Sequence, residues 1–227
     1  GVTTKYYDPL IGAGISELLT ERTKLVFTES PGSQTFEIQD IPAIATAAHA
    51  VGAEVMMDNT WATPLYFKPF QHGVDVVVHA ATKYLVGHAD AMLGVITMSE
   101  SATAPVVKTH DILGLCPGPE DVYLTLRGLR TLDVRLQRHE ETGLALAAWL
   151  AERPEVSKVI HPARRDHPGH ALWKRDFTGA SGLFAIVLKP VPRPALAAML
   201  DGLSLFGMGY SWGGYESLIL PVDPRGY

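Results

Sequence analysis

Short, unbroken apolar runs alternating with stretches of helical spacing are what most limit the folds open to this chain. Residues 24–28 (KLVFT), 54–57 (EVMM), 74–79 (VDVVVH) and 94–98 (GVITM) each read as a strand bounded by polar or turn residues. Between the first two, residues 40–51 place Ile41, Ile44, Ala45 and Ala48 at helical spacing, with Gly52 as a stop. A short helical piece over 66–72 ends at Gly73. Strands that are apolar throughout, alternating with helices, predict a mostly parallel sheet with helices on both faces.

The pattern then changes. Residues 119–153 read as one long helical stretch that ends before Pro154, with Gly128 and Gly143 as places where it can bend. Strand-like residues 158–160, helical 170–175, a strand at 183–188, a helix at 194–203 and strand-like 217–220 follow. This second part reads as a smaller α+β unit. The expected division lies inside the long helix, giving a large domain over 1–135 and a C-terminal domain over 136–227. A length of 227 residues accommodates one large domain or two smaller ones.

Composition excludes several classes. Lys and Arg number 19 against 24 Asp and Glu, a formal charge of −5, which argues against a nucleic-acid binder. The 47% hydrophobic content argues against disorder. No apolar run reaches the ~18 residues of a membrane span. A single cysteine, Cys116, rules out an intrachain disulfide and points to a reducing compartment, hence a cytoplasmic protein. The chain opens on Gly1 without a charged start and apolar segment. It closes on Pro224, Arg225, Gly226 and Tyr227, straight after an apolar run. The expectation is a fragment, or a chain whose ends lie outside these residues.

In an open parallel sheet, ligands bind beyond the carboxyl ends of the strands. The first strand is followed by Glu29-Ser30-Pro31-Gly32-Ser33, the second by Asp58-Asn59-Thr60-Trp61, and the third by Ala81-Thr82-Lys83-Tyr84. A loop, an acid and a lysine thus share one edge. Lys83, just beyond an apolar strand, is partly desolvated, which favours the neutral amine that forms a Schiff base. Taken alone, Lys83 equally reads as a solvated strand-end residue, and Asp58 as a turn or helix cap. Their combination on neighbouring strand ends suits pyridoxal phosphate. That cofactor needs a carboxylate at its pyridine nitrogen, a lysine at its aldehyde carbon and donors such as Thr82 at its phosphate.

Other residues read as structural. His161, His167 and His170 sit among Pro and Gly and are expected in a loop, with no metal site. His88 is expected to make a structural hydrogen bond, Tyr84 to pack, Trp149 to be core, and Cys116 to be buried or at an interface. Arg127, Arg130, Arg135 and Arg138 form either a solvated face or ion pairs at a subunit interface.

These motifs resemble the family of pyridoxal-phosphate-dependent enzymes of cysteine and methionine metabolism. Asp58-Asn59-Thr60, Ala81-Thr82-Lys83-Tyr84, Gly87-His88-Ala89-Asp90 and Ser211-Trp212-Gly213-Gly214-Tyr215-Glu216-Ser217 carry the likeness. It covers essentially the whole chain. Within the family the sequence is most similar to bacterial cystathionine β-lyases, because Trp212 and Tyr215 stand where γ-lyases and γ-synthases usually carry aliphatic residues. The resemblance implies a fold type I, transferase-like α/β architecture. It implies that Lys83 carries the cofactor, Asp58 pairs with the pyridine nitrogen, Thr82 binds phosphate, and Ser33 lies near the phenolic oxygen. Ser211 and Trp212 would line the place where the substrate carboxylate docks.

The implied activity is β-elimination of L-cystathionine to homocysteine, pyruvate and ammonia, in methionine biosynthesis. The implied assembly is a homo-oligomer, a dimer or tetramer. Two positions depart from the family: Ala80 stands where many relatives have Ser, and Ser33 where many have Asn. The family's cofactor-stacking tyrosine, phosphate-binding glycine turn and Tyr/Arg pair precede the point matching Gly1. Its carboxylate-binding arginine follows the point matching Tyr227, and Arg225 takes no role. The alternatives are a γ-lyase or γ-synthase of the same family, and a truncated, non-catalytic α/β protein.

Overall fold

The computed structural model describes residues 1–223; Arg225 and its neighbours lie outside the described residues. Four strands form the main sheet in the order β1-β2-β3-β4: β1 (Leu25–Glu29), β2 (Glu54–Asp58), β3 (Val76–Ala80) and β4 (Gly94–Met98). The first three run parallel, in a register that aligns Glu29 with Asp58 and Asp58 with Val78. All three carboxyl ends therefore reach the same edge.

Helix α1 (Ile41–Ala50) connects β1 to β2. Its N-cap Asp40 accepts a hydrogen bond from the Ala43 N–H at 3.2 Å, and Pro42 occupies the first turn. One face of α1 (Ile41, Ile44, Ala45 and Ala48) is buried in a single cluster with Val26, Val55, Met57 and Val77. These strand residues alternate along the sheet and share one face. Asp40 also holds Arg175 at 2.8 Å, and Arg175 in turn holds Asp176 at 2.6 Å, tying the start of α1 to helix α6 (His170–Asp176).

Strand β4 runs antiparallel to β3. The connecting residues 81–93 contain no crossover helix, so the chain turns back instead of passing over the sheet. This gives the mixed, mostly parallel sheet of the fold type I class. Helix α2 is short (Thr63–Tyr66), and a 3₁₀ turn, Pro69–His72, ends at Gly73 with φ +82°.

Helix α3 (Glu100–Leu113) has no counterpart in the sequence periodicity. Its interior contains Pro105 and only Ala102 is buried, so neither an apolar stripe nor an unbroken run marks it. The signals that do mark it are local: Ser99 caps Ala102 N–H, and Gly114 ends it in the left-handed region. The expected single helix over 119–153 is two helices, α4 (Pro119–Leu129) and α5 (Leu132–Ala151), with the break at Arg130 and Thr131. Gly143 does not bend α5. A Cβ there would approach Gly182 Cα at 3.0 Å, so the glycine allows a close contact.

The remaining elements are β5 (Val156–Ile160), antiparallel to β6 (Ala185–Leu188), then α7 (Arg193–Asp201), and finally the two-residue parallel pair β7 (Gly207–Met208) and β8 (Leu218–Ile219). Trp149 is not core: it is 53% exposed, and Arg153 lies over its ring at 4.6 Å. The buried stripe of α5 runs through Leu132, Leu136, Gly143 and Ala147, and Trp149 falls off that face. Cys116 is exposed. Among the described residues, no helix is long and apolar enough to cross a membrane.

Because Ile44 is fully buried between α1 and the sheet, Ile44→Ala should cost about 2–5 kcal/mol of stability. Chemical denaturation measures this loss. A change of a few tenths would mean that α1 does not anchor the sheet.

Candidate active site

The site grows from the carboxyl ends of β1, β2 and β3. At the end of β2, Asp58 Oδ1 accepts two hydrogen bonds from Thr60, one from its N–H at 2.8 Å and one from its hydroxyl at 2.6 Å. The Thr60 hydroxyl oxygen itself accepts the Ala80 N–H at 2.9 Å. One threonine thus joins the acid to the last residue of β3, where the turn bearing Lys83 begins. Both of Thr60's bonds to Asp58 fall on Oδ1, so Oδ2 is the oxygen left for a further partner. Sequence reasoning gave Thr60 no role, although the spacing in Asp58-Asn59-Thr60 is that of an Asx-type turn.

Lys83 lies in the turn after β3, its N–H bonded to Ala80 C=O at 3.0 Å. Its Nζ donates to Ser211 Oγ at 3.1 Å and sits 5.5 Å from the centre of the Trp212 ring. The fold therefore brings Ser211 and Trp212 to Lys83 from the far end of the chain. Burial holds the Lys83 amine below the ordinary lysine range. Among the described residues, Lys83 makes no ion pair, and no hydrogen bond joins it directly to Asp58. Trp212 packs against Tyr84, with ring centres 5.3 Å apart, and Tyr84 is buried.

Ser33 donates to Glu29 Oε1 at 2.7 Å, at the end of β1 beside Asp58. Burial raises the Glu29 carboxyl above its ordinary range; the Ser33 hydrogen bond opposes that rise and the charge of Asp58 adds to it. Thr82 is turned to the backbone of Leu93. Its Oγ1 accepts the Leu93 N–H at 3.0 Å and donates to Leu93 C=O at 3.4 Å, and its N–H donates to the same carbonyl at 3.2 Å, closing the neck of the 81–93 loop. His88 bonds the Val86 carbonyl through Nδ1 at 2.8 Å. His161 and His167 are buried. His161 lies against Trp61 and Phe184, and His167 Nδ1 accepts the Gly169 N–H at 3.0 Å.

His79 follows Val78 on β3 and so points to the face opposite Asp58. There it lines a cavity of about 370 Å³ with Asn59, Val77, Leu85 and Val95. Its Nε2 has no hydrogen-bond partner, and burial pushes the imidazole down to about 4 against the pull of Asp58.

The sequence matches the family described as "Cys/Met metabolism PLP-dependent enzyme" over residues 1–223. It is 51% identical to a cystathionine beta-lyase of Escherichia coli over 228 residues, covering 99% of this chain and 58% of that protein. It is 49% identical to a cystathionine beta-lyase of Salmonella typhimurium, with the same two coverages. A solved cystathionine gamma synthase of Xanthomonas oryzae pv. oryzae, in complex with cystathionine, superposes with a TM-score of 0.82 at 39% identity. That match covers 86% of this chain and 50% of the solved one. The chain therefore spans little more than half the length of its relatives.

The position of His79 generates a pH dependence. Its folded pKa, about 4, lies below the ordinary value of 6.5, so the unfolded chain binds the proton more tightly. The stability tied to neutral His79 is complete above that ordinary value and is lost as pH falls through about 4. Urea unfolding at about pH 7 and pH 5 should show the protein weaker at the lower pH, and His79→Leu should reduce the difference. An equal difference in both proteins would contradict this account.

Proposed function

The chain belongs to the Cys/Met metabolism PLP-dependent enzyme family, and from that premise we propose that it forms part of a carbon–sulfur lyase acting on cystathionine-type substrates. The finer reading is β-elimination: L-cystathionine and water give homocysteine, pyruvate and ammonia. One observation carries it: a partly desolvated lysine amine held by Ser211, on a turn whose first residue Thr60 joins to a strand-end carboxylate.

The donor chemistry fits pyridoxal phosphate. Asp58 would hold the pyridine nitrogen through Oδ2, and Lys83 would hold the aldehyde carbon. Ser33 would lie near the phenolic oxygen through the β1 end. Thr82 would reach the phosphate by turning its hydroxyl proton away from the 3.4 Å bond to Leu93 C=O, its oxygen still accepting the Leu93 N–H. The cofactor, when bound, supplies an electron sink for the pair left at the substrate's α-carbon. This chain's residues do the rest. Lys83 Nζ moves the α-proton as general base, helped by burial that favours its neutral form. Ser211 orients Nζ through its 3.1 Å hydrogen bond. Trp212 walls the amine from water and, with Ser211, lines the region where the substrate carboxylate docks.

The same proposal includes a large cofactor-binding domain over 1–135 and a smaller domain over 136–227. It also includes assembly as a homo-oligomer and a cytoplasmic location. The solved Xanthomonas relative favours a second reading, γ-chemistry on the same substrate class. The products of the holoenzyme separate the two: pyruvate from β-elimination, 2-oxobutyrate from γ-elimination.

In the holoenzyme, Lys83→Ala should remove both the near-visible absorbance band and the borohydride-fixed mass on the peptide carrying residue 83. Survival of either with full turnover would defeat the role of Lys83. Asp58→Ala should keep the fold and lower kcat about a hundredfold or more, because the electron sink loses its charged partner. Unchanged turnover would reject its electronic role.

A further inference from the structure

The turn that carries Lys83 is gripped from two sides, and the grip on one side belongs to an arginine whose sequence position alone suggests a surface or interface charge. Arg135, on the first turn of α5, points inward. Its Nη1 donates to Tyr84 C=O at 2.8 Å, its Nη2 to Gly128 C=O at 2.8 Å, and its Nε to Thr131 Oγ1 at 3.1 Å. The guanidinium is half-buried and has no ion-pair partner among the described residues. Its charge is spent on backbone carbonyls, one of them on the residue next to Lys83.

The surrounding glycines show how close the elements come. A Cβ at Gly128 would lie 2.3 Å from Leu85 O and 2.4 Å from Val86 O, so the end of α4 rests directly on the turn. A Cβ at Gly87 (φ +73°) would overlap the Arg135 guanidinium. On the other side, a Cβ at Gly213 (φ +86°) would lie 2.9 Å from Tyr84 N and 3.0 Å from Lys83 C. Gly213 follows Ser211 and Trp212, the residues that meet Lys83 Nζ. The backbone of Lys83 is thus pressed between the Ser211–Gly213 segment and the Arg135–Gly128 corner.

We propose that Arg135 is a positioning residue for Lys83: its fork-shaped donor set fixes the turn at Tyr84, and so fixes where the lysine amine stands when it exchanges partners and moves a proton. This rests on the reading of Lys83 as the cofactor lysine. A planar guanidinium spans the Tyr84 and Gly128 carbonyls together, whereas a lysine ammonium reaches as a single point. Small displacements of a reacting group carry large rate penalties.

The test compares the unchanged holoenzyme with Arg135→Gln and Arg135→Lys. Borohydride reduction and peptide mass spectrometry first locate the fixed cofactor. An adduct elsewhere than Lys83 in the unchanged protein would remove the underlying reading and this proposal with it. With the adduct on Lys83 in all three proteins, kcat per bound cofactor should fall about tenfold or more in both variants, with KM within about twofold. The pH midpoint of the near-visible band should move by about half a unit or more, because the amine's surroundings have changed. A purely structural role would lower the yield of folded protein and leave kcat per cofactor and the pH midpoint alone; that result overturns the proposal. If Arg135→Gln does not accumulate, Arg135→Lys decides alone: unchanged kcat and pH midpoint there overturn it too.

Discussion

Everything at the candidate site follows from the parallel register of β1, β2 and β3. Three carboxyl ends at one edge set Glu29 beside Asp58 and Asp58 beside Val78. A slip of one residue in β2 would turn Asp58 to the face that α1 covers and bring Met57 to the edge. The apolar cluster shared by α1 and the sheet prevents this, since the same slip would expose Val55 and Met57. Core packing and site geometry are thus one constraint seen from two faces of the sheet.

Much of this was legible in the sequence because apolar runs and turn residues state the strands directly. The positions of β1 to β4 and of α1 follow from such runs, and the strand ends mark Asp58 and Lys83 as candidates on one edge. What stayed hidden depends on contacts between distant segments. The meeting of Lys83 with Ser211 and Trp212 spans 128 residues and leaves no local trace; only family likeness suggested it. The antiparallel course of β4 was hidden because an apolar run carries no direction. Helix α3 escaped because Pro105 and a mostly exposed surface mask its period, while its caps were visible at Ser99 and Gly114.

The arginines of α4 and α5 show why charge alone misleads. Arg127 pairs with Asp90 at 3.6 Å and Arg138 with Glu141 at 3.6 Å, both well exposed, where such pairs contribute little. Arg135 has the same composition and lies on the same stretch, yet it serves backbone carbonyls inside the fold. The difference lies in Gly128 and Gly87, whose missing side chains let helix, turn and guanidinium come together. In such a corner the informative residues are the small ones around the charge.

The Thr60 hydroxyl has a single proton, and that proton is committed to Asp58, while its oxygen receives the Ala80 N–H. The relay therefore has a direction: negative charge on Asp58 polarises the hydroxyl, and the polarised oxygen binds the Ala80 amide more strongly. Neutralising the acid would slacken the amide that anchors the turn at its origin. The acid thus bears on the start of the lysine's turn through one hydroxyl and one amide, without a direct bond to the amine.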